Sequence, residues 1–341
     1  MVAEFSDTPS AAHYETVRSA LNAAFGFDQT SAITPVTGGA SGAFPFRVEI
    51  GDRWYLVRVE GSPSPLRNPH QYNSMRIAAE AGIAPRIYHI DETARVAVMD
   101  FIEERPLSDY PGGPRDLAQA MGEMLGRVQA TPSFQRFVEY PDIVGRLWTY
   151  VCRTGLFARG ALDMYTERLG RIRQAYSWNS RNSVSSHNDL VPRNILFDGE
   201  RLWWIDWESA YRNDPLVDVA IILDNFAPSA DLESVVLAAW LGRAPDVELY
   251  TRLALVRALT RLYYAGVLFS ASMASSGALG DDDPSAPPIA EFRRKISDGH
   301  LEAGAPETKH ILGKMYLASF FTDARPPGLD AAVRSHGSPL R

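Results

Sequence analysis

Apolar and polar positions change their rhythm partway along this chain. From Ile33 to about Glu103, short apolar runs alternate with polar breaks, and a single helical pattern interrupts them before Gly82. Trp54-Tyr55-Leu56-Val57-Arg58-Val59 reads as one β-strand, and Val96-Ala97-Val98-Met99 opens another that runs through Asp100 and Phe101 to Glu103. A helical lead-in precedes them, up to about Phe27. After a Pro/Gly-bearing connector at 105–113, Leu117, Met121, Leu125 and Val128 recur at helical spacing and predict an amphipathic helix packed on a core. Helical patterns return over 147–157, 161–178, 232–241 and 248–273. Within this helical half lie two short apolar strands, 195–197 and 202–205, joined by the turn Asp198-Gly199-Glu200. The patterning therefore predicts an α+β chain: residues 1–104 as a small strand-rich region with its helical lead-in, 105–324 as a larger, mainly helical region, and 325–341 as a disordered tail.

Two further segments lack periodicity or length. Residues 275–288 are rich in Gly, Ser, Asp and Pro and predict a mobile loop between helices, with Asp281-Asp282-Asp283 a solvated acidic run rather than a metal site. The apolar stretch 262–274 covers only thirteen residues, too few to cross a bilayer, and reads as a buried helix.

Composition narrows the class of protein. At 341 residues, with 45% hydrophobic and 22% charged positions, the chain can bury sizeable cores. A net charge of −7 argues against a protein that tracks nucleic-acid phosphates. One cysteine, Cys152, cannot form an intrachain disulfide, and the first ten residues, with Glu4 and Asp7, do not read as a secretory signal. A cytoplasmic protein with no membrane span and no nucleic-acid partner is the expectation.

The chemistry concentrates between Ser186 and Glu208. His187-Asn188-Asp189-Leu190-Val191-Pro192-Arg193-Asn194 spells H-x-D-x-x-x-x-N, followed by the strand–turn–strand unit and by Asp206-Trp207-Glu208. A loop Asp that takes a hydroxyl proton, an Asn five residues on and a later Asp that bind metal are the parts that phosphoryl transfer from ATP requires. Such transfer passes through a loose transition state with charge spread over its oxygens, so the protein mainly positions reactants and supplies cations. Antiparallel pairing of the two strands would bring Asn194 and Asp206 to one end as hard oxygen donors for Mg²⁺. Asp189, with His187 beside it, would then be the catalytic pair of the preceding loop.

With these residues, the chain resembles the aminoglycoside phosphotransferase and choline kinase superfamily. The run Ile205-Asp206-Trp207-Glu208-Ser209-Ala210, continuing to Asn213-Asp214-Pro215-Leu216-Val217-Asp218, is most similar to bacterial choline and ethanolamine kinases. That resemblance implies a protein-kinase-like two-lobe fold, with a small antiparallel-sheet N-lobe, a larger mainly helical C-lobe, and ATP with Mg²⁺ as cofactors. It implies that Asp218 supports the catalytic loop from a buried position. The loop Val36-Thr37-Gly38-Gly39-Ala40-Ser41-Gly42 matches the family's nucleotide loop, so Gly38, Gly39 and Ser41 would let backbone amides approach phosphate oxygens. Arg58 takes the place of the phosphate-binding lysine. Its expected acidic partner on the next helix is missing from 70–75, where relatives commonly carry Glu, and Glu80 lies near that helix's end. Backbone groups around Asp100 to Ile102 would take the adenine edge.

The implied reaction moves the γ-phosphoryl group of ATP to a hydroxyl of a small, cationic acceptor, with choline or ethanolamine the leading acceptors. An aminoglycoside, thiamine or another small alcohol is the alternative, and a non-catalytic nucleotide-binding protein is a third reading. A quaternary ammonium is held by aromatic faces with carboxylates nearby. The candidates for that cage are Trp207, Glu208, Asp224, Phe226, Trp240 and Tyr264, with Tyr211 and Tyr263 also within reach. Packing alone is the favoured reading of most of these rings, Trp240 and the Tyr263-Tyr264 pair among them, because they sit in helical patterns.

Overall fold

A computed structural model describes residues 9–26, 32–36, 42–61, 68–176, 180–277 and 279–322. The glycine loop with Gly38, Gly39 and Ser41, and the tail 325–341, lie outside the described residues. Contacts divide the chain into two compact units. The first takes the residues up to Tyr110 together with Asn194–Tyr211, and the second takes Pro111–Arg193 and everything from Arg212 onward. The chemistry-bearing hairpin thus groups with the strand-rich unit, whereas its surroundings in sequence place it in the helical half.

In the first unit, strands β1 (Ala32–Pro35), β2 (Phe44–Ile50), β3 (Arg53–Val59), β4 (Ile87–Asp91) and β5 (Val96–Asp100) form one sheet in the order β1-β2-β3-β5-β4. All its neighbours are antiparallel, with Arg58 facing Pro45 on one side and Ala97 on the other. Helix α1 (Ala11–Phe25) starts at Ser10, whose backbone and side chain exchange hydrogen bonds with the His13 end of the first turn, and stops at Gly26 with φ 72°. It lays Val17, Ala20 and Leu21 on Phe46, Val48, Val57, Val59, Val96 and Val98, all buried. Each such aliphatic contributes on the order of 1.5–3 kcal/mol, so the alternation of β2 and β3 fixes which strand face meets the helix. Helix α2 (Gln71–Glu80) and the hairpin β7 (Ile195–Phe197) with β8 (Leu202–Trp204) complete the unit.

The second unit is mainly helical, with helices α3 (Gly113–Gln129), α4 (Tyr140–Arg153), α5 (Asp163–Ala175), α6 (Pro215–Phe226), α7 (Ala230–Leu241), α8 (Val247–Ser276), α9 (Ile289–Ser297) and α10 (Pro306–Ser319), plus a small sheet of β6 (Val184–Ser186) and β9 (Tyr211–Asn213). Side-chain caps start three of these helices. Asp214, Ser229 and Asp246 accept backbone N–H groups from Leu216, Leu232 and Leu249. Helices α3 and α7 touch closely at Gly122, where a Cβ would fall 2.5 Å from the Val236 carbonyl oxygen. Helix α8 is the spine, packed against α4, α6 and α10.

Two expectations need correction. Residues 262–274 are the latter part of α8, a helix of 30 residues that is long and apolar enough to cross a membrane by length and composition; most of its apolar window is buried inside the unit. The segment around Asp281 is tied down. Ala158 N–H donates to the Asp281 carbonyl at 2.7 Å, Asp281 N–H donates to Leu156 O at 2.9 Å, and His310 Nε2 and Lys314 Nζ each lie 2.7 Å from Asp281 Oδ2. Asp282 and Asp283 remain exposed, so the run is solvated only in part.

Candidate active site

The hairpin of the first unit does what its pattern predicts. Ile195 pairs with Trp204, and one step further Ile205 N–H donates to Asn194 O at 2.9 Å, so Asn194 and Asp206 emerge at the same end. Asp206 sits at φ 64° and ψ 63°, a left-handed conformation that costs a non-glycine residue roughly 1–2 kcal/mol. Such strain persists where the surroundings over-determine it, and here the hairpin end and the short helical turn at Trp207–Ser209 bracket the residue.

Arg58 projects from β3 into this end. Its Nη2 donates to Asp206 Oδ1 at 2.8 Å and to Glu208 Oε2 at 3.1 Å, while Nη1 lies 3.2 Å from Glu60 Oε1. Burial alone would lower the Arg58 pKa, but Asp206, Glu60 and Glu208 together raise it, so the guanidinium stays charged. The acid expected on the following helix is replaced by Glu60 and by the D-x-E turn. Glu60 could have been found in the sequence, because residues two apart on an extended chain share a face. Helix α2 and the residue Asn68 before it meet backbone carbonyls of the turn instead: Asn68 Nδ2 and Ser74 Oγ donate to Ala210 O at 2.5 and 2.9 Å, and Asn68 N–H donates to Glu208 O at 3.2 Å.

This cluster suits a divalent cation. Formally, three carboxylates against one guanidinium leave an excess of two negative charges. Asn194 and Asp206 supply hard oxygens, and Mg²⁺ is usually held by one or two such side chains, with phosphates and water completing its octahedron. Among the described residues no group of three or more His, Cys, Asp or Glu is arranged to cage a metal.

At the end of β5, Asp100 N–H donates to Arg86 O at 2.9 Å and Phe101 N–H to Trp54 O at 3.2 Å, and the Asp100 carboxylate accepts from Tyr88 Oη at 2.9 Å. The Asp100 and Phe101 amides are therefore committed within the unit. Ile102 N–H has no hydrogen-bond partner among the described residues, which leaves it as the amide of this stretch free for a base edge.

The second unit holds the H-x-D loop. Asp218, fully buried, accepts from His187 N–H at 2.8 Å and from Asn188 N–H at 2.7 Å, and Asn213 Nδ2 donates to Asn188 Oδ1 at 2.7 Å. Those bonds hold Asn188 at φ 65°. Burial raises the Asp218 pKa against the opposing effects of His187 and the two amides. His187 is also fully buried; its Nδ1 accepts Asp189 N–H at 3.3 Å, so it acts on the loop and is not placed to touch an acceptor. The Asp189 carboxylate takes a hydrogen bond from Tyr264 Oη at 2.9 Å and lies 3.4 Å from Arg193 Nη2.

Several members of the expected cage are occupied elsewhere. Asp224 accepts from Arg257 Nε at 2.9 Å and from Arg261 Nε and Nη2 at 2.8 and 3.0 Å, a buried cluster joining α6 to α8. Trp240 Nε1 donates to Gln129 Oε1 at 2.8 Å across α7 and α3. Trp207 is buried with its Nε1 on Trp204 O, and Glu208 serves Arg58. Phe226 is half-buried at the end of α6. Tyr264 is joined to Asp189. Packing and ion pairing won at these positions because rings at helical spacing and a carboxylate facing two arginines satisfy one another without a ligand.

A five-stranded antiparallel sheet bearing a basic strand residue, followed by a mainly helical region with an H-x-D loop, defines the protein-kinase-like class of phosphotransferases. Residues 32–256 match the APH phosphotransferase enzyme family, and the chain belongs to it. Its fold is similar to that of a choline/ethanolamine kinase family protein from Mesorhizobium loti, at 20% identity and TM-score 0.60, covering 88% of this chain and 98% of that one. It is similar also to choline kinase LicA from Streptococcus pneumoniae, at 15% identity and TM-score 0.59 over 84% of this chain and 98% of that one. Spectinomycin phosphotransferase, solved with ADP and spectinomycin, aligns at 11% identity and TM-score 0.56 over 93% of this chain and 97% of that one. In sequence, a segment of 57 residues is 43% identical to protein LicA of Haemophilus influenzae; it makes up 17% of this chain and 21% of that relative, so the match spans about a fifth of LicA.

Proposed function

We propose that this chain is an ATP- and Mg²⁺-dependent kinase that moves the γ-phosphoryl group to a hydroxyl of a small cationic molecule, with choline or ethanolamine as the leading acceptors. The observation that carries the reading is the hairpin end, where Asn194 and Asp206 emerge together beside an arginine that is already held by three carboxylates. Mg²⁺ held by Asn194 and Asp206 would screen the charge of the phosphate oxygens. Arg58 would contact the α/β-phosphates, a task for which its two-pronged donor geometry fits phosphate. Ile102 N–H would receive the adenine edge, and the glycine loop with Gly38, Gly39 and Ser41 would cover the phosphates. Asp189 would orient the acceptor hydroxyl and take its proton, while His187 and Asp218 hold the loop. The leading acceptors follow from the D-x-E run and from the LicA match.

A second reading keeps the reaction and changes the acceptor. The engagement of Trp240 by Gln129 removes one ring of the expected ammonium cage, which favours an acceptor that needs less aromatic enclosure, such as an aminoglycoside. A panel of choline, ethanolamine, thiamine and aminoglycosides assayed with Mg-ATP separates the two. Choline or ethanolamine should give the highest kcat/KM; a preference for another acceptor would overturn the first reading and leave the kinase assignment in place.

A further inference from the structure

Tyr264 entered as a candidate wall of an ammonium cage, but its surroundings point to another task. It lies on α8 with 6% of its surface exposed, and its ring packs against Tyr263 and Tyr316, each with centroids 5.6 Å away; Tyr140 in turn packs on Tyr263 at 5.9 Å. These neighbours fix the ring, so its hydroxyl points at Asp189 Oδ1 with little entropy left to lose. We propose that Tyr264 is a positioning residue for Asp189: its hydroxyl pins one carboxylate oxygen and so sets the direction in which the remaining lone pairs meet the acceptor hydroxyl. The inference rests on the reading of Asp189 as proton acceptor.

Three features support it. Burial first, and then the charge of Asp189, push the Tyr264 phenol well above its ordinary value, so it is a donor throughout any working pH range. A carboxylate offers about four lone-pair sites; Tyr264 Oη donates to Oδ1 at 2.9 Å while Arg193 Nη2 lies 3.4 Å from Oδ2, so the two contacts address different oxygens of the group. The backbone beneath Asp189 is fixed separately through Asp218 and His187, so the bond from Tyr264 adds a restraint at the side chain itself. Charged and titratable groups around the pair include Arg193, His187 and Asp218 for Asp189, and Tyr140 and Tyr316 for Tyr264.

The test uses Tyr264→Phe, alone and combined with Asp189→Asn, in the full chain. Phe keeps the ring, so a cage function would survive it, whereas a positioning function would not. Tyr264→Phe should lower kcat about tenfold or more, keep KM for ATP and for the acceptor within about twofold, and leave the melting temperature near that of the parent. In the Asp189→Asn background the same change should alter the residual rate less than about twofold, because the two act as one unit. Turnover of Tyr264→Phe within about twofold of the parent, or losses that multiply in the double variant, would overturn the proposal. Near-normal turnover of Asp189→Asn alone would instead remove the reading beneath it.

Discussion

Replacing Asp224 by alanine tests whether that residue is structural or part of the acceptor site. Its carboxylate lies 2.8–3.0 Å from nitrogens of both Arg257 and Arg261, with side-chain exposures of 6% for Asp224, 16% for Arg257 and 4% for Arg261. Removing one partner of a buried pair leaves an uncompensated charge and costs about 3–5 kcal/mol. The two arginines are not stranded equally. Arg257 keeps Glu233 at 2.9 Å, and Arg261 keeps the carbonyls of Ser319 and Thr322 at 3.1 and 2.8 Å but loses its charge partner, which places the loss toward the lower end of that range. For a unit of this size each kcal/mol shifts the melting temperature by about 2–4 °C, so a fall of roughly 6–12 °C is expected by calorimetry, with acceptor KM within about twofold. A melting temperature within about 2 °C of the parent, accompanied by a several-fold rise in acceptor KM, would refute the structural reading and return Asp224 to the cage.

Arg58→Ala should raise KM for ATP more than KM for the acceptor, and Arg58→Lys should recover it only in part, since a point charge replaces a fork; unchanged ATP kinetics in the alanine variant would confine Arg58 to holding Glu60, Asp206 and Glu208 together. Asp281→Asn should lower the melting temperature at neutral pH, because hydrogen bonds from Lys314 and His310 outweigh burial and hold the Asp281 pKa below its ordinary value. A depressed folded-state pKa stabilises above the unfolded value and is lost as the pH falls through the folded one, so the gap between parent and variant should narrow below about pH 3.8, the ordinary Asp value; a gap of constant size from pH 7 to pH 3 would contradict it.

The sequence was most legible where local rules act alone. The 195–197 and 202–204 strands, their Asp-Gly turn and the shared end of Asn194 and Asp206 follow from period-two patterning and hairpin geometry, and helices α3, α4, α5, α7 and α8 follow from periodicity. What escaped depends on distant partners. Arg257 and Arg261 stand one helical turn apart on α8 and meet Asp224 on α6, a pairing that no local spacing announces. Tyr264 meets Asp189 across 75 residues of sequence. Helix α10 went unread because Thr308, His310 and Ser319 are buried among its apolar residues and blur its stripe. Glu60 is a same-face neighbour of Arg58 two residues on along the extended chain, a spacing that local pattern alone can carry.

The central claim is that the Asn194–Asp206 hairpin end supports metal-dependent phosphoryl transfer, and its most direct test is ADP and phosphorylated acceptor measured together for the parent chain and for Asp206→Ala across a Mg²⁺ titration. The account predicts equimolar ADP and phosphorylated acceptor from the parent, dependent on Mg²⁺, and no Mg²⁺-stimulated transfer by Asp206→Ala. Transfer by that variant with an unchanged Mg²⁺ dependence would contradict it, as would a parent chain that forms no phosphorylated acceptor across the panel.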